Sequence, residues 1–216
     1  MERYDSIIIG AGHNGLVCAA YLARGGQRVL VLEAADTPGG LAGTREFHPG
    51  FHAAAAHSVN HFAGKIASDL KLASHGYQSL GQPLVGLNAD GDPIVVANDS
   101  ISGTGAADSE SYAEYLRLMR RCAAALEPSW LKKIPPIGSA SMTDLMSFAQ
   151  LGLKLRLLGK DDMREFMRIA TLPTRDLMDE FFESDTLKAT LAWDGLVGAR
   201  MAPRSPNSSV LAMLYR

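Results

Sequence analysis

Three glycines near the N-terminus have the spacing of a phosphate-binding turn. They lie in the hexapeptide Gly10-Ala11-Gly12-His13-Asn14-Gly15, which has the form G-x-G-x-x-G. In such a turn the first glycine permits a tight reversal, the second lets the backbone approach a pyrophosphate, and the third lets helix and strand pack closely. Backbone N–H groups at the start of the following helix then bind the phosphate oxygens. These residues therefore predict a dinucleotide-binding site.

An acidic residue and a second glycine pair extend the predicted site. Glu33 ends the next apolar run. An acidic side chain at this position accepts hydrogen bonds from ribose hydroxyls and repels a 2′-phosphate. The pair Gly39-Gly40 follows soon after, and two glycines there let a loop run close over the dinucleotide. Both FAD and NAD use this kind of fold, and the second loop favours FAD.

The elements that must position these residues follow from the hydrophobic periodicity. Residues 6–9 form a short β-branched run, which is typical of a strand buried on both faces. Residues 14–24 have helical spacing and end at Gly25-Gly26, a C-cap signal. Residues 28–33 form a second buried strand. Strand, helix and strand in this order predict a βαβ crossover.

The following part of the chain contains irregular and β segments. Residues 36–62 are rich in Gly, Pro and His, which indicates a loop-rich region that can form a β-hairpin, and a helix is predicted over 65–73. Residues 84–97 predict a hairpin because two apolar runs flank an Asn-Ala-Asp-Gly turn. The Gly/Ser/Asp-rich stretch 99–107 is predicted to be a linker.

Helices are predicted from residue 108 onward. Ser111 and Glu114 form a capping box, with Asp108 or Ser109 as the alternative cap. Glu127-Pro128 is expected to end this first helix, and further helices are predicted over 143–158 and 161–172. The fold class is therefore α/β. A Rossmann-type βαβ unit with an incomplete doubly wound sheet occupies residues 1–75, and a hairpin with a mainly helical partial substrate domain occupies residues 76–216.

The composition excludes several classes of protein. The chain has 216 residues, of which 47% are hydrophobic and 20% are charged, as expected for a globular and not a disordered protein. Its net charge of -2 gives no general attraction to nucleic acid or anionic lipid. No apolar run reaches the length of a membrane span. Cys18 and Cys122 have no metal-ligand spacing and are predicted to be small buried hydrophobes in a reducing compartment, so the expected location is cytoplasmic.

The stretch from Tyr4 to Phe62 resembles the phytoene-desaturase-like flavoproteins. Within the wider amine-oxidase and glutathione-reductase-like group, it is most similar to the branch called pyridine nucleotide–disulfide oxidoreductase domain-containing proteins. The His13-Asn14 pair inside the glycine motif is characteristic of that branch. The resemblance is carried by residues 10–16, 29–33, 39–40 and 49–51, with a thinner match over 182–189.

The resemblance implies FAD as cofactor and assigns residues to it. The glycine turn with His13 and Asn14 would line the phosphates, Glu33 would hold the adenosine ribose, and the second loop would approach the pyrophosphate or the flavin. No catalytic residue is assigned. The cofactor-binding residues implied in this way are Gly10, Gly12, His13, Asn14, Gly15, Glu33, Ala34, Gly39, Gly40, Leu41 and Ala42.

The resemblance also implies an activity. It implies an FAD-dependent oxidoreductase of the dehydrogenase or desaturase type, in which hydride passes from an apolar or amine-type substrate to the flavin. Chains of this family are more than twice as long, so the sequence is expected to be the N-terminal part of a larger enzyme. One alternative is a non-catalytic nucleotide-binding fragment or subunit that needs a complementary chain. A second alternative is an NAD(H)-binding protein. No nucleic-acid partner is expected.

Four histidines fall in one loop-rich region. His48, His52, His57 and His61 have spacings that two helical histidines could use for a metal. Pro49-Gly50 separates the first two, and no Cys and few acidic residues accompany them, so no metal site is predicted. Their position in the resembled family leaves contact of His57 or Ser58 with flavin or substrate as an alternative to ordinary loop residues.

Overall fold

The computed structural model divides the chain into two compact units, Met1–Leu80 and Gly81–Arg216. The sequence places the corresponding boundary after residue 75. The residues that the structure describes are 2–54, 62–78, 81–89, 91–132, 136, 138, 141–205 and 209–215. Among these residues, no helix combines the length and the apolar character that crossing a bilayer requires.

The first unit begins with the predicted βαβ motif. Strand β1 (Ser6–Ile9) and strand β2 (Val29–Leu32) pair in parallel, from Ser6 opposite Val29 to Ile9 opposite Leu32. Helix α1 (His13–Arg24) connects them and begins one residue before its predicted start. It ends where Gly26 adopts a φ of +86°, a backbone conformation that glycine tolerates without steric cost. The βαβ prediction is confirmed.

The two strands are less buried than predicted. Ile9 is 88% exposed and Ile7 is 58% exposed, so the prediction of a strand buried on both faces is wrong for β1. The reason is that side chains alternate between the two faces of a strand, and α1 covers only one face of this two-stranded ribbon. Helix α1 has no buried residue. Its Cys18 is exposed, which corrects the prediction of a buried thiol there.

A hairpin and a short helix complete the described part of this unit. Strands β3 (Thr44–His48) and β4 (Phe51–Ala54) pair antiparallel, with Gly50 at a φ of +81° in the turn. Helix α2 (Gly64–Asp69) is followed by a 3-10 turn at Leu72–His75. The single helix predicted over 65–73 is therefore wrong in extent, because Lys71 turns into the left-handed region at a φ of 52°.

The second unit opens with a three-stranded antiparallel sheet. Strands β5 (Leu84–Gly86) and β6 (Ile94–Ala97) form the predicted hairpin. Strand β7 (Ser100–Ser102) pairs with β6 inside the stretch whose composition predicts a linker, so that prediction is wrong. Asn98 adopts a φ of 48° and reverses the chain directly after β6. The strand is short and has one apolar residue, and for this reason its composition has the signature of a loop.

Helices make up most of the described remainder of this unit. They are α3 (Ala106–Trp130), α4 (Met142–Leu157), α5 (Lys160–Ile169), α6 (Thr174–Phe181), α7 (Asp185–Leu196) and α8 (Ser209–Tyr215). Helix α3 begins five residues before Ser111, with Gly105 at its N-cap position, so the predicted capping box and the alternative caps are wrong. Pro128 lies in the last turn of α3 and does not end it, since the helix continues to Trp130.

The hydrophobic core of the second unit lies among its helices. It is formed mainly by α3, α6, α7 and α8, with contributions from β6 and α5. The Cys122 side chain is completely buried there, as predicted, and burial raises the pKa of its thiol to about 11. The largest fully buried side chains include Ile94, Ile169, Leu177, Met178, Leu187 and Val210.

Candidate dinucleotide-binding site

The glycine turn starts directly at the carboxyl end of the parallel strands. The Gly10 N–H donates to the Leu32 carbonyl at 2.7 Å, which continues the ladder between β1 and β2 by one bond. Gly10 then adopts a φ of +96°, where an L side chain would be strained. The turn is thereby fixed to the edge of the sheet at which α/β folds bind their ligands.

The third glycine lets α1 pack closely against this turn. A Cβ atom at Gly15 would lie 2.1 Å from the Gly10 carbonyl oxygen and 3.4 Å from Cγ2 of Ile8. Any side chain at this position would push the helix away from the turn. The spacing of the motif is therefore explained by a steric limit at its last residue.

The first turn of α1 presents backbone donors. Gly12 occupies the N-cap position in extended backbone, no side-chain hydrogen bond caps the helix, and its first turn contains no acidic residue. The first intrahelical bond runs from the Leu16 N–H to the Gly12 carbonyl at 2.9 Å. The N–H groups that precede Leu16 in the helix have no intrahelical acceptor, and the positive end of the helix dipole lies at the same place. This arrangement is suited to an anion such as phosphate.

The second glycine loop touches the first. The Gly39 N–H donates to the Ala11 carbonyl at 2.8 Å, and Gly12 and Gly39 form a parallel bridge. A Cβ atom at Gly40 would lie 3.0 Å from Cα of Gly12, and both Gly39 and Gly40 have positive φ values. The two loops can approach this closely only because glycines meet at the contact.

Glu33 braces the glycine turn with its carboxylate. One oxygen accepts the Ala11 N–H at 2.6 Å and the other accepts the Ala35 N–H at 2.9 Å. The bonds from the Ala35 and Ala11 N–H groups lower the pKa of this carboxyl, so it is ionised at neutral pH. The side chain is exposed, and a carboxylate offers about four acceptor positions. Further lone pairs are therefore free for ribose hydroxyls.

Sequence reasoning missed the central position of Ala11. Its N–H bonds to Glu33 and its carbonyl bonds to Gly39, so one peptide segment connects the three parts of the site. The Ala11 side chain gives no signal of this role, because both bonds use the backbone. Only the identity of the flanking glycines could have suggested it.

The remaining predicted residues surround this centre. His13 and Asn14 are exposed in the first turn of α1, and Ala34 directly follows Glu33. Leu41 and Ala42 lie in the 3-10 turn Gly40–Ala42, where Leu41 is 69% exposed.

The structure describes two of the four histidines in the loop-rich region. His48 and His52 lie on β3 and β4, where the His48 ring packs edge-on against Phe51 at a centroid distance of 5.5 Å. His57, Ser58 and His61 lie outside the described residues.

Comparisons with known proteins agree with this geometry. Residues 8–70 match the family described as an NAD(P)-binding Rossmann-like domain. The chain is 30% identical to pyridine nucleotide-disulfide oxidoreductase domain-containing protein 2 of Rattus norvegicus, over 98% of this chain and 40% of the relative. It is 28% identical to a limonene dehydrogenase chain of Castellaniella defragrans, over 100% of this chain and 39% of the relative.

A solved structure shares the fold. A putrescine oxidase with redesigned cofactor binding matches with a TM-score of 0.52 at 16% identity, over 97% of this chain and 40% of that one. Residues 8–70 thus form a Rossmann-like dinucleotide-binding domain. The predicted resemblance to the pyridine nucleotide–disulfide oxidoreductase domain-containing proteins is also confirmed. The chain spans about 40% of the length of the curated relatives it matches.

Proposed function

We propose that this chain binds FAD and forms part of an FAD-dependent oxidoreductase acting on a C–C or C–N bond of an apolar or amine-type substrate. The observation that carries the proposal is the junction of the glycine turn, the Gly39-Gly40 loop and Glu33 through Ala11. FAD, when bound, supplies the redox chemistry. The residues of this chain bind and orient it.

The residues present fit a dinucleotide. A Cβ atom built at Gly12 meets no atom within 4 Å, so the space beside the turn is open at the residue that a pyrophosphate must approach. The N–H groups of His13, Asn14 and Gly15 would hold the phosphates, since they belong to the uncapped first turn of α1. Glu33 with Ala34 would hold the adenosine ribose, and its charge disfavours a 2′-phosphate.

The second loop supports FAD over NAD. Gly39 and Gly40 bring this loop against Gly12, and Leu41 and Ala42 continue it in a 3-10 turn. We assign these four residues to the pyrophosphate or the flavin side of the cofactor. The second candidate is NAD(H), which the description of the matching family favours. Titration of the 216-residue chain with each dinucleotide separates the two.

The names of the relatives support the substrate class. One is named for the dehydrogenation of limonene, a terpene, and the structural neighbour is named for the oxidation of putrescine, an amine. Bleaching of the flavin absorption by limonene or putrescine under anaerobic conditions would support the oxidoreductase. Retained FAD that neither compound nor a wider panel of amines and terpenes bleaches would favour the non-catalytic alternative.

The test of the site compares two glutamates in the same unit. Glu33→Gln removes the charge that faces the proposed ribose, and we expect FAD to bind about tenfold or more weakly. Glu46→Gln is the matched control, because Glu46 is also exposed and accepts a backbone N–H, from Gly50 at 2.8 Å. Equal FAD affinity of the two variants would contradict the role of Glu33.

A further inference from the structure

The lysines and arginines of the βαβ motif lie far from the glycine turn. Residues 6–43, which contain the motif and the second glycine loop, include no lysine and two arginines. Arg28 directly precedes β2, so the parallel pairing places it at the opposite edge of the sheet. Arg24 lies in the last turn of α1, about 16 Å along the helix from its start, and donates to the Asp69 carbonyl of α2. Lys65 of α2 pairs with the same aspartate at 2.8 Å.

The first residue of α1 is the side chain at the turn that can become positive. His13 follows Gly12 directly and is exposed. The elements that pack against the start of α1 are β1, β2 and the 3-10 turn Gly40–Ala42, and none of them contains a charged residue. The charged groups that follow β2 are the carboxylates of Glu33 and Asp36. Within residues 6–43, His13 is therefore the only side chain that could offset the charge of a phosphate at the turn.

The chemistry of an imidazole makes such a contact dependent on pH. Histidine is the side chain whose charge ordinarily changes between about pH 5 and pH 8. Its neutral form has one N–H donor, whereas its cationic form has two donors and a positive charge. A cation alone at a helix N-terminus is opposed by the helix dipole, which is positive there, and a bound anion removes that cost. Proton uptake and phosphate binding at this position should therefore favour each other, because such coupling is reciprocal.

We propose that the imidazolium of His13 is the counter-charge of the FAD pyrophosphate, so that FAD binds more tightly as the pH falls from about 8 to about 5.5. The inference rests on the proposed function and extends it from the backbone N–H groups of the turn to a side chain. Protonation of Glu33 does not supply this response. The Ala35 and Ala11 N–H groups lower the pKa of its carboxyl, which therefore stays ionised over this range.

The test is a fluorescence titration of the 216-residue chain with FAD at about pH 8 and about pH 5.5, at low ionic strength. We expect the unmodified chain to bind FAD about three- to tenfold more tightly at the lower pH. His13→Gln should have the weaker affinity at both pH values. His13→Lys should have the tighter affinity at both, because an ammonium group keeps its charge over this range. Unchanged circular dichroism at each pH shows that each variant is folded.

Two control variants separate this contact from other charges of the same unit. His75→Gln is the matched control, because His75 is also exposed and lies in the 3-10 turn Leu72–His75. It should keep the full pH response. Arg45 is exposed on β3, close to the second glycine loop in the chain. An arginine stays charged at every pH, so Arg45→Gln should keep the pH response even if its affinity for FAD falls.

The outcomes distinguish this inference from the proposed function. FAD affinity that is equal at the two pH values, or a pH response that His13→Gln retains, overturns the role of His13 and leaves FAD binding established. Loss of the response in His75→Gln as well as in His13→Gln also overturns it. A folded chain that binds no FAD at either pH overturns both proposals.

Discussion

The carboxylate of Glu33 accepts a hydrogen bond of 2.6 Å from the Ala11 N–H, which ties the end of β2 to the glycine turn after β1. The same carboxylate has free acceptor positions at the place where a ribose is expected. Glu33 thus stabilises the turn, and in the proposed function it also offers acceptors to the cofactor.

This relationship makes the stability of the first unit depend on pH. The pKa of Glu33 is lowered in the folded state, first by the Ala35 N–H and then by the Ala11 N–H. The contribution of the Glu33 carboxylate to folding stability is therefore fully present above the unfolded-state pKa of about 4.3. It is lost as the pH falls through the lower folded-state pKa. In thermal unfolding, the midpoint temperature of Glu33→Gln should be lower than that of the unmodified chain at neutral pH, and the difference should disappear in acid. A gap that is constant with pH would exclude this linkage.

The close approach of α1 to the turn predicts the effect of a single methyl group. Gly15→Ala places a Cβ 2.1 Å from the Gly10 carbonyl oxygen, so we expect a loss of about 1–3 kcal/mol in the free energy of unfolding. Gly152→Ala in α4 is the control, because its Cβ meets nothing within 4 Å. It should stabilise the chain by up to about 1 kcal/mol through helix propensity. Urea unfolding measures both, and equal effects would refute the steric explanation.

Two glycine-to-alanine variants can distinguish the contact between the two glycine loops from backbone strain at a positive φ. Gly40 has a φ of +58°, and the Cβ added by Gly40→Ala would lie 3.0 Å from Cα of Gly12. Gly50 has a φ of +81°, but the Cβ added by Gly50→Ala would have no atom within 4 Å. Both variants are strained by a positive φ, but only the first disturbs the site. We expect Gly40→Ala alone to weaken FAD binding in a fluorescence titration. Weakening by both variants to the same degree would argue against a specific role of this contact.

The buried carboxylate of Asp108 connects the start of α3 to the segment that precedes α7. Asp108 is 3% exposed and accepts hydrogen bonds from the Glu183 N–H and the Thr104 hydroxyl, each at 2.7 Å, and from the Ser184 N–H at 3.2 Å. Burial raises its pKa, but these bonds outweigh burial and lower it overall. The carboxylate therefore stabilises the unit above the usual aspartate pKa, and this contribution disappears as the pH falls through the lowered value.

Substitution of Asp108 should be costly for that reason. Asp108→Asn replaces an acceptor by a donor next to two backbone N–H groups, and we expect a loss of about 2 kcal/mol in the free energy of unfolding. Asp99→Asn is the control, because Asp99 is 73% exposed in its ion pair with Arg120 and should change stability by less than about 0.5 kcal/mol. Guanidinium unfolding at neutral pH checks both. A similar loss in the two variants would show that burial of Asp108 does not matter.

The backbone geometry of the candidate dinucleotide site could be predicted from sequence because its determinants are local. Glycines at fixed spacing between a strand and a helix leave few other interpretations, and the structure places Gly10 and Gly12 between β1 and α1 and Gly15 in the first turn of α1. The bracing bond from Ala11 to Glu33 could not be predicted, since it joins a backbone group to a residue 22 positions away.

The features that could not be predicted from the sequence depend on residues that are distant in the chain. Strand β7 exists because β6 lies beside it, and its own composition indicates a loop. Asp108 is a candidate cap for its own helix by sequence, but it bonds to the segment that precedes α7, about 75 residues later. The exposure of Met142, Leu153 and Leu157 on α4 could not be predicted either, because periodicity alone predicts that an apolar face points inward.

Binding of FAD by this chain is tested most directly by a visible absorption scan of the purified chain after incubation with FAD and removal of free FAD by filtration. We expect oxidised-flavin bands that stay with the chain in a stoichiometry near one, and we expect Glu33→Gln to retain less FAD. A folded chain that releases all FAD into the filtrate, or that binds NADH in its place, would contradict it.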